Sequence, residues 1–262
     1  MKKLLSSIVV LTTVLTTSLS AGMIIDIDAG IGVWDAAPSG SIKYGSGAAD
    51  NLDLEKSLGL ESSTNTYIYA DLNHFVPLIP NVRVEKQELK IDGSNSLGSI
   101  SFGNKNYTSD VTTTLDLSQT DLIAYWGVPG LNLLSAGILD FNFGVDLKQF
   151  SGGVTLKSDN TEPTTADMDF VIPMGYLAAS IKPPFIPGEI SASYKTISYK
   201  SSSISDIMAK ISINLPIPLP LIDFKADIGY KEQTLVIDED LSDSLKADIK
   251  FSGMFFGISA KF

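Results

Sequence analysis

Over most of its length the chain alternates apolar and polar residues with a period of two, the spacing of a β-strand whose two faces meet different surroundings. The first clear run is Met23–Trp34, where Ile25, Ile27, Ala29, Ile31 and Val33 alternate with Asp26, Asp28, Gly30 and Gly32. Thr66–Phe75 sets Ile68, Ala70 and Leu72 against Tyr67, Tyr69 and Asp71. Further runs set Leu139, Phe141, Phe143, Val145 and Leu147 against Asp140, Asn142, Asp146 and Lys148, and Ile207–Leu215 against Met208, Lys210 and Ser212. Phe224–Tyr230 alternate with Asp223, Lys225 and Asp227. The chain ends on Gly-Met-Phe-Phe-Gly-Ile-Ser-Ala-Lys-Phe, in which Met254, Phe256, Ile258 and Ala260 take every second position.

Two kinds of connection separate the runs. Four are compact, apolar and rich in proline: Val76–Asn81, Val128–Leu131, Lys182–Gly188 and Pro216–Pro220. Proline cannot donate to a ladder, so these mark strand breaks. The others are longer and polar: Asp92–Asn106, Ser151–Thr165, Ser201–Ser205 and Asp238–Ser244. Asp35–Asn65 reads as a long loop, either mobile on the surface or carrying a short helix over Asp50–Leu60. Alternating short turns and long loops, with ten intervening strands, predict an all-β, closed antiparallel up-and-down transmembrane barrel, with eight or twelve strands the alternatives. Three places strain the pattern. In the third strand the parity of Val82 and Val84 leads to Lys86 and Glu88, and in the fourth that of Leu115 and Leu117 leads to Gln119 and Asp121. Each requires a bulge or a position above the membrane. In the last strand Leu245, Ala247, Ile249 and Phe251 are out of phase with Met254–Phe262, which predicts a β-bulge near Gly253.

Carboxylates facing lipid are costly, so the charged faces line the interior. The predicted lumen network is Asp26, Asp28, Arg83, Glu85, Asp116, Asp140, Asp146, Lys148, Lys195, Lys210, Lys225, Asp227, Lys246, Asp248 and Lys250. Arg83 is the one arginine, and its fork can hold two carboxylates together. Such a set serves either as a charged constriction or as a salt-bridge network filling a narrow lumen. Trp34, Tyr67, Tyr125, Trp126, Phe185 and Tyr230 sit at strand ends, as interfacial aromatics do.

Composition narrows the setting. Lys2 and Lys3, the apolar Leu4–Leu19 and the small residues around Ser20–Gly22 read as a secretory signal over 1–21, leaving a barrel domain over 22–262. Without those two lysines, 17 basic residues face 30 acidic ones, which argues against nucleic-acid binding. There is no cysteine for a disulfide or a lipid anchor. The single histidine, His74, lies beside a proline-rich turn, away from any histidine-dependent site among the long loops. Asp50, Asp53, Glu55 and Asp159 could meet divalent cations, but loop carboxylates of this kind are more often simply solvated. No catalytic residue, metal site or cofactor is expected.

The signal segment, Leu58-Gly59-Leu60, the double-proline stretch His74–Arg83 and the terminal Phe262 together resemble small Gram-negative outer-membrane β-barrel proteins, in particular an uncharacterised family of similar length. In such barrels the last strand carries the assembly signal. The resemblance therefore implies that role for Phe262, Ala260, Ile258 and Phe256, with lipid and the barrel-insertion machinery as partners and the outer membrane as location. It supplies no catalytic residue. The expectation is a non-enzymatic outer-membrane barrel, either structural or a narrow passive channel for small solutes. The alternatives are a soluble periplasmic barrel that carries lipid and, third, an outer-membrane hydrolase.

Overall fold

The computed structural model describes residues 25–45, 49–74, 76, 78–96, 99–108, 110–217, 219–238, 242 and 244–262. The expected signal segment lies outside the described residues. Ten strands close into one antiparallel barrel. They are β1 (Ile25–Tyr44), β2 (Ser63–His74), β3 (Asn81–Gln87 and Lys90–Ser96), β4 (Asp110–Gly127) and β5 (Leu139–Ser158). The second half comprises β6 (Thr161–Asp167 and Phe170–Ile181), β7 (Gly188–Tyr199), β8 (Ser202–Asn214), β9 (Asp223–Ile237) and β10 (Leu245–Lys261). Each strand pairs with the next in sequence, and β10 closes on β1 from Tyr44↔Leu245 to Asp28↔Lys261. Beyond that ladder, Phe262 and Ile27 exchange backbone hydrogen bonds of 2.8 and 3.3 Å, so the final residue is sewn into the seam.

The barrel has two zones, and they explain where the alternation misleads. At the proline-turn end the apolar face points outward: Ile31, Val145, Ile207 and Ile258 are all exposed. At the other end the strands continue well past this band, and their apolar residues point inward. Leu115, Leu117, Val154, Leu156, Ile204, Leu235, Ile249 and Phe251 are buried there. Each strand keeps its parity; what changes is the medium on each side.

The bulge expected at Gly253 is therefore not present. β10 holds a single register against β9 throughout, and the same register against β1 on both sides of a gap opposite Asp35 and Ala36. A Cβ at Gly253 would lie 1.7 Å from the Asp35 carbonyl oxygen, so the glycine permits a close approach rather than a shift. Likewise β3 and β4 pair in one register across Gln87↔Gln119 and Lys90↔Asp116, with no bulge. Lys86, Glu88 and Lys90 simply face outward above the apolar band.

The stretch read as a loop after Trp34 splits in three. Asp35–Tyr44 prolongs β1, Leu52–Asp53 pairs back against it, and a turn follows that ends at Leu60. No helix forms over Asp50–Leu60. Instead Asp53 Oδ1 accepts the amides of Glu55 and Lys56 at 3.1 and 2.8 Å, while its carbonyl accepts those of Ser57 and Leu58. This turn buries Leu52, Leu54, Leu58 and Leu60 inside the barrel mouth. Gly59 has φ of 66°, and a Cβ there would lie 2.2 Å from the Ser94 oxygen of β3, so the turn docks backbone to backbone.

A second layer covers the mouth: a hairpin of Ile100–Phe102 and Lys105–Tyr107, with Phe102 and Tyr107 fully buried. Its Gly103 amide donates to the Tyr44 carbonyl at 2.7 Å, and Ser101 and Asp50 hold each other through both backbone and side chain. Most of the polar loops expected from sequence are thus barrel wall. Ser151–Ser158 belongs to β5, and Ser202–Ser205 to β8. At the other end, Val128–Leu131 leads into a single helical turn, α1 (Leu131–Leu134), with Leu133 and Leu134 exposed.

Candidate functional site in the lumen

Below the apolar plug the lumen is crossed by buried polar side chains from seven strands, β2–β5 and β7–β9. Their inward positions follow from strand parity, and each is placed by a wall residue whose neighbours on the same strand face outward. Lys195 of β7 reaches Glu85 of β3 and Asp121 of β4 across the lumen. Lys148 of β5, with no exposed side-chain surface, binds Asp121 at 2.7 Å and Asp206 of β8 at 3.4 Å. Lys231 of β9 pairs with Asp206 at 3.3 Å and donates to the Gln87 amide oxygen. Gln119 and Gln233 exchange amide hydrogen bonds of 3.1 and 2.8 Å from opposite walls. Asp146 is also fully buried and makes no hydrogen bond among the described residues; its charge lies within Coulombic reach of Lys195 and Lys148.

Arg83 anchors the layer beneath. Its Nε donates to Glu85 at 2.6 Å, its terminal nitrogens to Asp71 at 3.4 Å and to the Tyr67 hydroxyl at 3.0 Å. Its guanidinium lies 4.1 Å from the Tyr69 ring centre, a cation–π contact. Asp71 also accepts from Tyr125 at 2.7 Å, and Tyr69 donates to Asp28 at 2.8 Å. Glycines on β1 make room for these rings: a Cβ at Gly30 would strike Tyr69, and one at Gly32 would strike Phe255. Burying so many charges is tolerable only where each finds partners, as nearly all do here.

Beneath Arg83 the lumen widens into a polar cavity of about 170 Å³ lined by Asp28, Tyr69, Asp71, Arg83, Tyr176 and Lys210 among others, near the proline-turn end. Lys210 pairs with Asp227 at 3.5 Å, and Lys225 lies on the same wall. At the rim Asp140 meets Lys182 at 3.4 Å and Asp26 meets Lys261 at 3.0 Å, both pairs largely solvated and of small energetic weight.

Of the fifteen residues expected in the lumen, eleven lie on inward positions: Asp26, Asp28, Arg83, Glu85, Asp140, Asp146, Lys148, Lys195, Lys210, Lys225 and Asp227. Four do not. Asp116 faces out, opposite Lys90, because its neighbours Leu115 and Leu117 are the inward residues. Lys246, Asp248 and Lys250 also face out, above the apolar band, where Lys250 pairs with Glu232 at 2.8 Å and Lys246 with Asp238 at 3.4 Å. Sequence reasoning missed Asp71, Asp121, Asp206 and Lys231. Extending the β8 and β9 parities by a single step identifies Asp206 and Lys231, and Asp71 already stood on the polar face of β2. Trp34, Tyr67 and Tyr125, expected at an interface, are buried inside; Trp126, Phe185 and Tyr230 are at least partly exposed.

His74 is a turn residue. Its Nδ1 accepts the Val76 amide at 3.2 Å, which leaves Nε2 carrying the proton toward the Pro80 carbonyl at 3.1 Å. Asn81 Oδ1 accepts the His74 amide at 2.9 Å, so the imidazole braces the β2–β3 turn.

No family model matches the chain, and no curated protein matches it. Solved structures do. The outer-membrane protease OmpT of Escherichia coli is 10% identical, covering 90% of this chain and 96% of its own, with a TM-score of 0.47. The translocator domain of the autotransporter NalP of Neisseria meningitidis is 11% identical, covering 95% and 92%, at 0.42. The outer membrane protein OprG of Pseudomonas aeruginosa is 10% identical, covering 91% and 95%, at 0.28. At such distances no residue role passes from these proteins to this chain.

Proposed function

We propose that this chain is an integral outer-membrane barrel with a closed lumen and a structural, non-enzymatic role. The observation that carries the reading is the inversion of the lower zone. Ile31, Val145 and Ile258 are 52%, 53% and 58% exposed, while Lys148 and Asp146 are 0% exposed. An apolar belt around a charged interior is unfavourable in water by about 25 cal/mol per Å² of belt, and favourable in a bilayer. It is the reverse of what a soluble lipid carrier requires. The proline turns then face the periplasm and the plugged mouth the exterior, following the length asymmetry of bacterial barrels. Leu78, Leu133, Leu134 and Phe185, exposed at the turns, suit the lower headgroup region.

Fractionation with unheated and boiled SDS gel migration tests the placement. The protein is expected in the outer-membrane fraction, with a faster unheated band that shifts on boiling. A soluble protein with one band would overturn it.

The hydrogen bonds between Phe262 and Ile27, with Phe256 and Ile258 on the outer face, support an assembly role for the last strand. Deleting Phe262 is expected to lower the yield of heat-modifiable protein in cells several-fold. The fraction that does insert keeps its normal urea midpoint. Unchanged yield would remove the signal from this residue.

A further inference from the structure

One seam of the barrel is incomplete. β6 and β7 pair from Ile181↔Ile190 only as far as Gly175↔Thr196. Above that level β6 stays on β5 up to Phe170↔Phe150, and β7 stays on β8 up to Tyr199↔Ser202, so the two strands part company. Pro173 lies in the unpaired stretch of β6 and has no amide hydrogen with which to extend the ladder. Behind the parting lies an apolar pocket of about 400 Å³, walled by Met168, Phe170, Ile172, Ile197, Leu235 and Leu245. Its volume falls within the range of small-molecule sites. Val171, 62% exposed at the lip, continues the outward apolar surface to the opening.

Two serines on the wall are already engaged, and the remaining polar lining residues, Asp167, Tyr199 and Ser203, are exposed or half-buried at its rim. Ser202 Oγ accepts the Asp238 amide at 3.0 Å, and Ser242 Oγ accepts the Leu245 amide at 3.1 Å. No buried charge lines the pocket, in contrast to the network below. An occupant is therefore held by burial of apolar surface alone.

We infer that this pocket, just above the apolar belt, binds an uncharged hydrocarbon chain drawn laterally from the outer edge of the membrane through the β6–β7 seam. The inference rests on the bilayer placement proposed above. The test uses the full barrel in phospholipid nanodiscs with an alkyl diazirine probe, labelled sites being read by mass spectrometry. Label is expected on Met168–Ile172 and Ile197, displaced by excess hexadecane, as well as on belt residues Val145 and Leu147. Ile197→Trp, which fills the pocket, is expected to cut pocket label at least tenfold and to leave belt label unchanged. Because the chain has no cysteine, a Gly175→Cys/Thr196→Cys pair, at the last registered positions of the ladder, provides a single disulfide that pins the two strands at the foot of the opening. Oxidised, it is expected to slow pocket labelling at least tenfold, with recovery on reduction. Belt label without pocket label, or pocket label indifferent to Ile197→Trp, would overturn the site. Labelling indifferent to the oxidised pair would overturn the lateral route. Absence of belt label would overturn the bilayer placement itself.

Discussion

Lys195→Met is expected to destabilise the refolded barrel by about 3–5 kcal/mol, the usual cost of removing one partner from a buried ionic cluster. Lys195 holds Glu85 and Asp121 together, and both carboxylates are buried. Arg83 keeps its bond to Glu85 and Lys148 its bond to Asp121, but their other bonds, to Asp71, Tyr67 and Asp206, hold them in place, so neither supplies the bond that is lost. At slopes of roughly 2–3 kcal/mol per molar urea, the unfolding midpoint should fall by about 1–2.5 M. Replacing Lys182, whose partners Asp140 and Glu189 are partly solvated, should move it far less. Equal shifts for the two would show that the lumen network is hydrated and weak.

Phe102→Ala is expected to undock the hairpin that covers the mouth. Truncating a buried phenylalanine costs about 3–5 kcal/mol, including the cavity left behind. Beyond Tyr107 and Ile100, what remains is hydrogen bonding: Gly103 to Tyr44, Ser101 with Asp50, Thr161 to Asn106, and Lys105 to the Glu162 and Pro163 carbonyls at 3.3 Å. The loss should therefore appear as local opening, with the wall intact. Trypsin should cut after Lys105 at least tenfold faster than in the parent, while heat-modifiable migration is retained. Unchanged cleavage, or a global midpoint that falls in step, would contradict this division between plug and wall.

Architecture was legible in the sequence because parity and proline survive folding unchanged. The ten strands and their inward or outward residues in the lower zone follow directly from the alternation. The upper zone was hidden by the same signal. Alternation shows that two faces differ, but not which medium each meets. On β1 the apolar positions pass from Ile31 and Val33 outside to Trp34 and Ala36 inside; on β10 they pass from Met254 outside to Phe251 inside. Each handover looks like a change of parity, which is why Gly253 suggested a bulge and Lys246, Asp248 and Lys250 seemed to line the lumen.

The plug was illegible for a related reason. Leu52, Leu54, Leu58 and Leu60 find their apolar partners on strands distant in sequence, so Asp50–Leu60 carries no periodicity of its own beyond a faint helical one. The lumen network was half visible: the residue types and faces could be read, but pairings such as Lys195 with Glu85 cross the barrel and depend on closure.

Closure of the lumen is the central claim, and ion conductance measures it directly. The purified barrel inserted in a planar lipid bilayer is expected to give no single-channel steps at any voltage, since Lys148, Asp146, Phe251 and Trp34 pack inside the lumen with almost no exposed surface. Steady, repeatable steps from the folded, heat-modifiable protein would contradict it and make the barrel a pore.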